Sequence, residues 1–144
     1  MVYDANLELD AGRTVTADES TNYIEAEGGA LMWACLKMGA MSGTTPTFDA
    51  RVQHSPDGGT TYYMAGKHQR FADTDDDKFS RIPVYIPRPE TKGAKVRVRM
   101  NYDVGGTSPS FAVTKAWLEP MLSLAPEATD ESLLEGAALQ MAAV

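Results

Sequence analysis

Apolar and polar residues alternate with a period of two along much of this chain, the spacing that turns one face of a β-strand into a core. The pattern is clearest from Thr44 to Tyr63, where Phe48, Ala50 and Val52 alternate with Thr47, Asp49, Arg51 and Gln53. Ser55-Pro56-Asp57-Gly58-Gly59 then stops the run, because proline presets one dihedral and glycines accept positive φ. Thr60 to Met64 is β-branched and aromatic and returns the chain. A β-hairpin is predicted.

Upstream, Val2 to Leu9 sets Tyr3, Ala5, Leu7 and Leu9 against Asp4, Asn6 and Glu8, as an edge or arm strand would. Gly12 turns the chain into Thr14-Val15-Thr16, Asp18 to Asn22 reads as polar loop, and Tyr23-Ile24 is too short to assign. Leu31 to Met38 is apolar on both faces: Leu31, Trp33 and Cys35 on one, Met32, Ala34, Leu36 and Met38 on the other. That suits a central strand of a two-layer sandwich, or one covered by a partner subunit. Gly39, Gly43 and Pro46 leave too little room for a competing helix.

Downstream, Gly66 to Phe71 reads as a short strand and Ala72 to Lys78 as an acidic turn. In Arg81 to Pro87, Ile82, Val84 and Ile86 share a face, and Pro83 and Pro87 cannot donate to a ladder, which predicts an edge strand. Lys95 to Asp103 turns Val96, Val98, Met100 and Tyr102 inward. Gly105 to Pro109 reads as a turn, and Phe111 to Leu118 as the last long strand, with Phe111, Val113 and Trp117 on one face.

Short strands between Gly/Pro turns predict an all-β fold: a jelly-roll-like antiparallel β-sandwich over residues 1–120, with an immunoglobulin-like sandwich as the alternative. Within it, residues 1–12 form an N-terminal arm strand. Residues 121–144 change character and make an acidic tail. There Ser132 and Glu135 resemble a capping box, and Leu133, Leu134, Ala137, Ala138 and Met141 would line one stripe of a short helix that Gly136 weakens. So short a helix is marginal alone in water. Its stripe docks on its own sandwich or on a neighbour, or the tail is mobile.

A chain of 144 residues with 43% hydrophobic and 23% charged residues suits one ordinary globular domain. One cysteine, Cys35, excludes an internal disulfide and a multi-cysteine zinc site. No basic, apolar leader and no membrane-length apolar run is visible. The net charge of −7 argues against a nucleic-acid partner. Charge is also segregated. Seven acids and only Arg13 precede residue 31, whereas Arg81, Arg88, Lys92, Lys95, Arg97 and Arg99 stand against Glu90 between residues 81 and 99. Such segregation cancels within one fold, or sets register between neighbouring copies.

Candidate chemistry is sparse. Asp73, Asp75 and Asp77 match the start of a calcium loop, but Lys78 stands where glycine is needed and Val84 where glutamate is needed. His54 and His68 could in principle serve a nucleophile, yet no nucleophile elbow is present and Cys35 lies in an apolar strand. No phosphate-binding glycine motif occurs, and both Gly-Gly pairs read as turn chemistry. Trp33, Trp117, Tyr62 and Tyr63 could stack on a sugar, though aromatics along strands are usually core. Neither catalysis nor a cofactor or metal is expected.

Two stretches carry a family resemblance. Gly43-Thr44-Thr45-Pro46-Thr47-Phe48 through Gln53-His54-Ser55-Pro56-Asp57-Gly58-Gly59-Thr60-Thr61-Tyr62 is one, and Val96 to Met100 followed by Gly105-Gly106-Thr107-Ser108-Pro109-Ser110-Phe111 is the other. Together they resemble the capsid cement (decoration) proteins of tailed bacteriophages, over about two thirds of the chain. The resemblance implies a homotrimer made in the bacterial cytoplasm and located in the virion. There it would bind the outside of an icosahedral head and clamp neighbouring major capsid protein subunits. It carries no catalytic residue and implies no nucleic-acid or membrane partner. Candidate interface residues are Tyr3, Leu7 and Leu9 of the arm, Arg88, Lys92 and Arg97 of the basic stretch, and Leu133, Leu134 and Met141 of the tail. Alternatives are another phage tail or baseplate β-sandwich protein and a carbohydrate-binding module.

Overall fold

The structure, a computed structural model, describes residues 7–121. Nine strands follow in order: β1 (Glu8–Asp10), β2 (Arg13–Val15), β3 (Glu19–Ser20), β4 (Ile24–Ala26), β5 (Ala30–Ser55), β6 (Tyr63–Lys67), β7 (Phe71–Ala72), β8 (Phe79–Ile86) and β9 (Val96–Pro120). All pairings are antiparallel within one sheet, so the fold is all-β as the alternation predicts.

The spine is the β5–β9 pair, in register from Met32 opposite Pro120 to Ser55 opposite Arg97. Strands expected as separate units, Leu31 to Met38 and the Phe48 strand, are one 26-residue strand. Lys95 to Asp103 and Phe111 to Leu118 are likewise merged. The expected turn at Gly105 to Pro109 is instead a bend in a continuing ladder, with Thr107 opposite Thr44 and Gly105 opposite Thr47. Register shifts cluster here, and Gly43 and Gly106 take φ of 124° and 98°. Bulges and positive-φ residues let a long ribbon fold over without breaking its hydrogen bonds.

The bend creates two layers. In one, β8 flanks β5 while β1 and β2 flank β9; in the other, β6 and β7 flank β5 while β3 and β4 flank β9. The polar stretch Asp18 to Asn22, expected as loop, therefore contains the two-residue strand β3, held by Tyr102 and Asn101. Met32, Ala34, Leu36 and Leu118 from the first layer meet Phe48, Ala50, Val52, Val98 and Tyr102 from the second in one core. Phe48, fully buried, stacks on Phe111 at 5.0 Å and touches Tyr102 and Phe71. A polar node ties the layers as well. Tyr102 donates to Asp10 at 2.7 Å, Asp10 also accepts from Gly12, and Arg13 pairs with both Asp10 and Glu19.

The hairpin is present, but its return strand begins at Tyr63, because Thr60 and Thr61 belong to the turn. Asp57 organises that turn by accepting from Ser55 at 2.7 Å and from the Thr61 amide at 2.9 Å. Strand β8 pairs only with β5, the edge position its prolines require.

Gly106 and Gly58 separate two costs of adding a Cβ. At Gly58, φ is +76° and nothing lies within 4 Å; at Gly106 a Cβ would sit 2.6 Å from the Thr45 carbonyl oxygen and 2.8 Å from that of Thr44. Gly58→Ala should cost about 1 kcal/mol of strain alone. Gly106→Ala should cost about 3 kcal/mol, strain and displacement combined. Urea unfolding of both variants checks the ranking.

Candidate functional site

The two outer faces of the sandwich differ in kind. On the layer containing β6 and β7, polar side chains satisfy one another. Arg70 donates to Asp49 at 2.8 Å, Lys67 pairs with it at 3.0 Å, and Arg51 pairs with Asp103. Arg99 donates to Gln53 and lies 3.6 Å over the Tyr62 ring, while Arg97 lies 4.0 Å over Tyr23. The donated hydrogen bonds, first from Arg70, hold the Asp49 carboxyl below its ordinary range.

The other outer face is aromatic. Strand alternation turns Leu31, Trp33, Cys35 and Lys37 outward from β5, and Phe79, Arg81, Pro83 and Tyr85 outward from β8. Register sets them in rows: Leu31 beside Tyr85, Trp33 beside Pro83, Cys35 beside Arg81 and Lys37 beside Phe79. From β9 come Trp117, opposite Cys35, and Glu119, opposite Trp33. Leu31, Phe79 and Tyr85 are 39%, 41% and 53% exposed, too much for core residues. Arg81 lies 4.3 Å over Trp33 and pairs with Glu119 at 3.4 Å; Trp117 donates to the same carboxylate at 3.3 Å.

Trp117 reaches this face through an irregularity. Alternation groups it with Phe111 and Val113, but the register shifts between Lys37–Lys115 and Met38–Val113, leaving Thr114 as an extra residue in β9. One extra residue reverses the parity beyond it. Ala116 and Leu118 therefore enter the core, and Trp117 faces outward against Phe79 at 5.8 Å.

The candidate interface residues scatter. Leu9 is 5% exposed and belongs to the core, so it presents no surface. Leu7 lines an apolar depression of about 270 Å³ with Ala26, Met32 and Ile86, and Arg88 and Lys92 line an adjoining polar one of about 310 Å³. Glu27 borders both, so these three residues share one end of the sandwich. Arg97 is committed to Tyr23 on the polar face. Tyr3, Leu133, Leu134 and Met141 lie outside the described residues. Segregated charge does cancel partly within the fold, as Lys115–Glu8 at 3.4 Å and Lys95–Glu27 at 3.5 Å show. The four aromatics considered for sugar stacking divide, with Trp33 and Trp117 on the aromatic face, Tyr62 under Arg99 on the other, and Tyr63 exposed beside His54 at the hairpin.

No protein-family model matches this chain, and no curated protein proves similar to it. Its own geometry is what bears on function.

Candidate reactive groups lie inside. His68 and Ser80 are hydrogen-bonded at 2.7 Å, with His68 1% and Ser80 8% exposed. The Cys35 thiol is pushed up to about 12, first by burial and then by Glu119, and stays protonated. Asp75 accepts from the Ala72 amide and pairs with Lys78, which is turn chemistry. Among the described residues no group of three or more His, Cys, Asp or Glu is placed to hold a metal. The sequence pattern does not mark Phe79 or Tyr85, because Phe79 precedes the alternating run Arg81 to Pro87 and Tyr85 stands on the parity opposite its apolar face.

Burial holds the His68 imidazole down at about 4, against an ordinary 6.5. The unfolded chain therefore binds the extra proton first as pH falls, and stability drops from about pH 6.5 toward 4. Between pH 7 and 4.5 the loss should be about 2–3 kcal/mol. Denaturant unfolding of the wild type and of His68→Gln at both pH values checks this: the variant should lose most of the difference.

Proposed function

We propose that this chain is a virion structural protein: a cement, or decoration, protein that binds the outer surface of an icosahedral phage head and clamps neighbouring major capsid subunits. The single observation that carries this reading is the aromatic outer face, where Leu31, Phe79 and Tyr85 stay exposed around the Arg81–Glu119 pair. Exposed apolar groups with a charged pair among them are what an adhesive contact requires: area for affinity, and fixed charge for register. The hairpin and bend motifs that resemble the cement proteins favour the same reading. Homotrimer formation and a virion location belong to this proposal.

Clamping needs no chemistry. A protein that binds only the assembled lattice stabilises it over dissociated subunits by mass action. The burial of His68, Ser80 and Cys35 favours adhesion over turnover. No cofactor, nucleic acid or membrane is required.

Purified protein added to heads that lack it, followed by imaging, tests the reading directly; absence of binding would reject it. Tyr85→Glu in the full chain places a charge on a half-exposed side chain, which the fold tolerates. It should weaken binding about thirtyfold, the loss of about 2 kcal/mol expected of a hot-spot residue. Met64→Glu, at a side chain 60% exposed on β6, should leave occupancy unchanged. Equal occupancy for Tyr85→Glu and the wild type would remove the aromatic face from the contact.

A further inference from the structure

We propose that the acidic segment 122–144 of this same chain covers the aromatic face in the free protein, laying Leu133, Leu134, Ala137, Ala138 and Met141 along the rows from Leu31 and Tyr85 to Phe79. The inference concerns the isolated chain and stands apart from any binding to a viral shell.

Three observations select this occupant. The first is position. The described chain ends at Met121, directly after Pro120, which pairs with Met32 between the outward residues Leu31 and Trp33. The segment therefore departs from the border of the face it would cover. The second is length. Twelve residues from Met121 to Leu133 reach at most about 40 Å. The outward row from Leu31 to Lys37 spans about 20 Å. A helix from Leu133 to Met141 is about 12 Å long. The tether is ample, and the apolar stripe fits within the rows.

The third is charge. Residues 122–144 contain Glu127, Asp130, Glu131 and Glu135 and no base. The face carries Lys37, Arg81 and Lys115 against Glu8 and Glu119, a local positive excess on a chain of net charge −7. The opposite outer face is basic too, but its outward rows on β5 and β9 are Asp49, Arg51, Gln53, Arg97, Arg99 and Asp103, which offer no continuous apolar strip for the stripe. A second copy of the chain would bring its own surplus of negative charge, and would have to compete with a segment tethered at the site.

Both tryptophans of the chain lie on this side, Trp33 half-buried and Trp117 only 6% exposed against Phe79, so intrinsic fluorescence reports coverage chiefly through Trp33. The measurement compares the full chain with the full-length double variant Leu133→Glu/Leu134→Glu, which leaves the sandwich sequence untouched. The variant should show red-shifted emission and a larger Stern–Volmer constant for acrylamide, with the far-UV circular dichroism of a folded sandwich retained and the urea midpoint lowered only by the docking that is lost. A synthetic 122–144 peptide added in excess should reverse both changes. Identical emission and quenching in the two proteins would overturn the proposal. So would wild-type protection that fades on dilution in step with dissociation of an oligomer, since the cover would then be a second copy.

Discussion

Pairing of β5 with β9 is the constraint on which the rest of this molecule depends. Every other strand hydrogen-bonds to one of these two, and none of the short strands has an alternative sheet to join. Both layers are therefore halves of a single ribbon, and their separation is set where that ribbon bends. The bend is built from positions that ordinary side chains resist, with backbone carbonyls of Thr44 and Thr45 packed against Gly106. Phe48 and Phe111, on either side of it, stack in the core and hold the fold closed. The Tyr102–Asp10 hydrogen bond does the same from the polar side, and burial with the adjacent carboxylate keeps the phenol protonated by raising its pKa.

Much of this was legible in the residues. Period-two alternation names the inward residues of the second half of β5, of β8 and of the first half of β9, because each lies in a stretch where the pleat runs undisturbed. Proline placed β8 at an edge, for the reason that a missing donor cannot be hidden in a central strand. What escaped was non-local. Gly105-Gly106 and Pro109 look the same whether they turn the chain back or bend a paired strand. The difference is supplied by Thr44 to Thr47, far away in sequence. Alternation alone puts Trp117 on the face of Phe111 and Val113, because the extra residue at Thr114 is visible only against its partner strand. Strand β3 was hidden because two polar residues gain strand geometry from β9 rather than from their own propensity.

The candidate surface was legible only in part. An apolar run on both faces of one strand, Leu31 to Met38, announced that something must cover its second side. Register then supplied Phe79, Pro83 and Tyr85 as its neighbours. Polar and aromatic outer faces on the same sandwich are built from the same strands. They differ because β5 carries arginine, aspartate and glutamine outward in one half and leucine, tryptophan and cysteine outward in the other. The first half pairs its charges and leaves only separate exposed groups such as Tyr23 and Met64; the second sets its exposed apolar groups in adjoining rows.

The continuous ladder also dictates an order of assembly. Its Ser55–Arg97 end closes a much shorter loop than its Met32–Pro120 end, and the entropy of closure grows with the length of chain enclosed. The hairpin of β5 with β6 depends on near neighbours alone and can nucleate first. Strand β9 then zips along β5 from the hairpin side toward Pro120, crossing the bend midway. The layer bearing both tryptophans is thus the last to receive β9, and a chain cut short before Phe111 would carry that half of the core open to water.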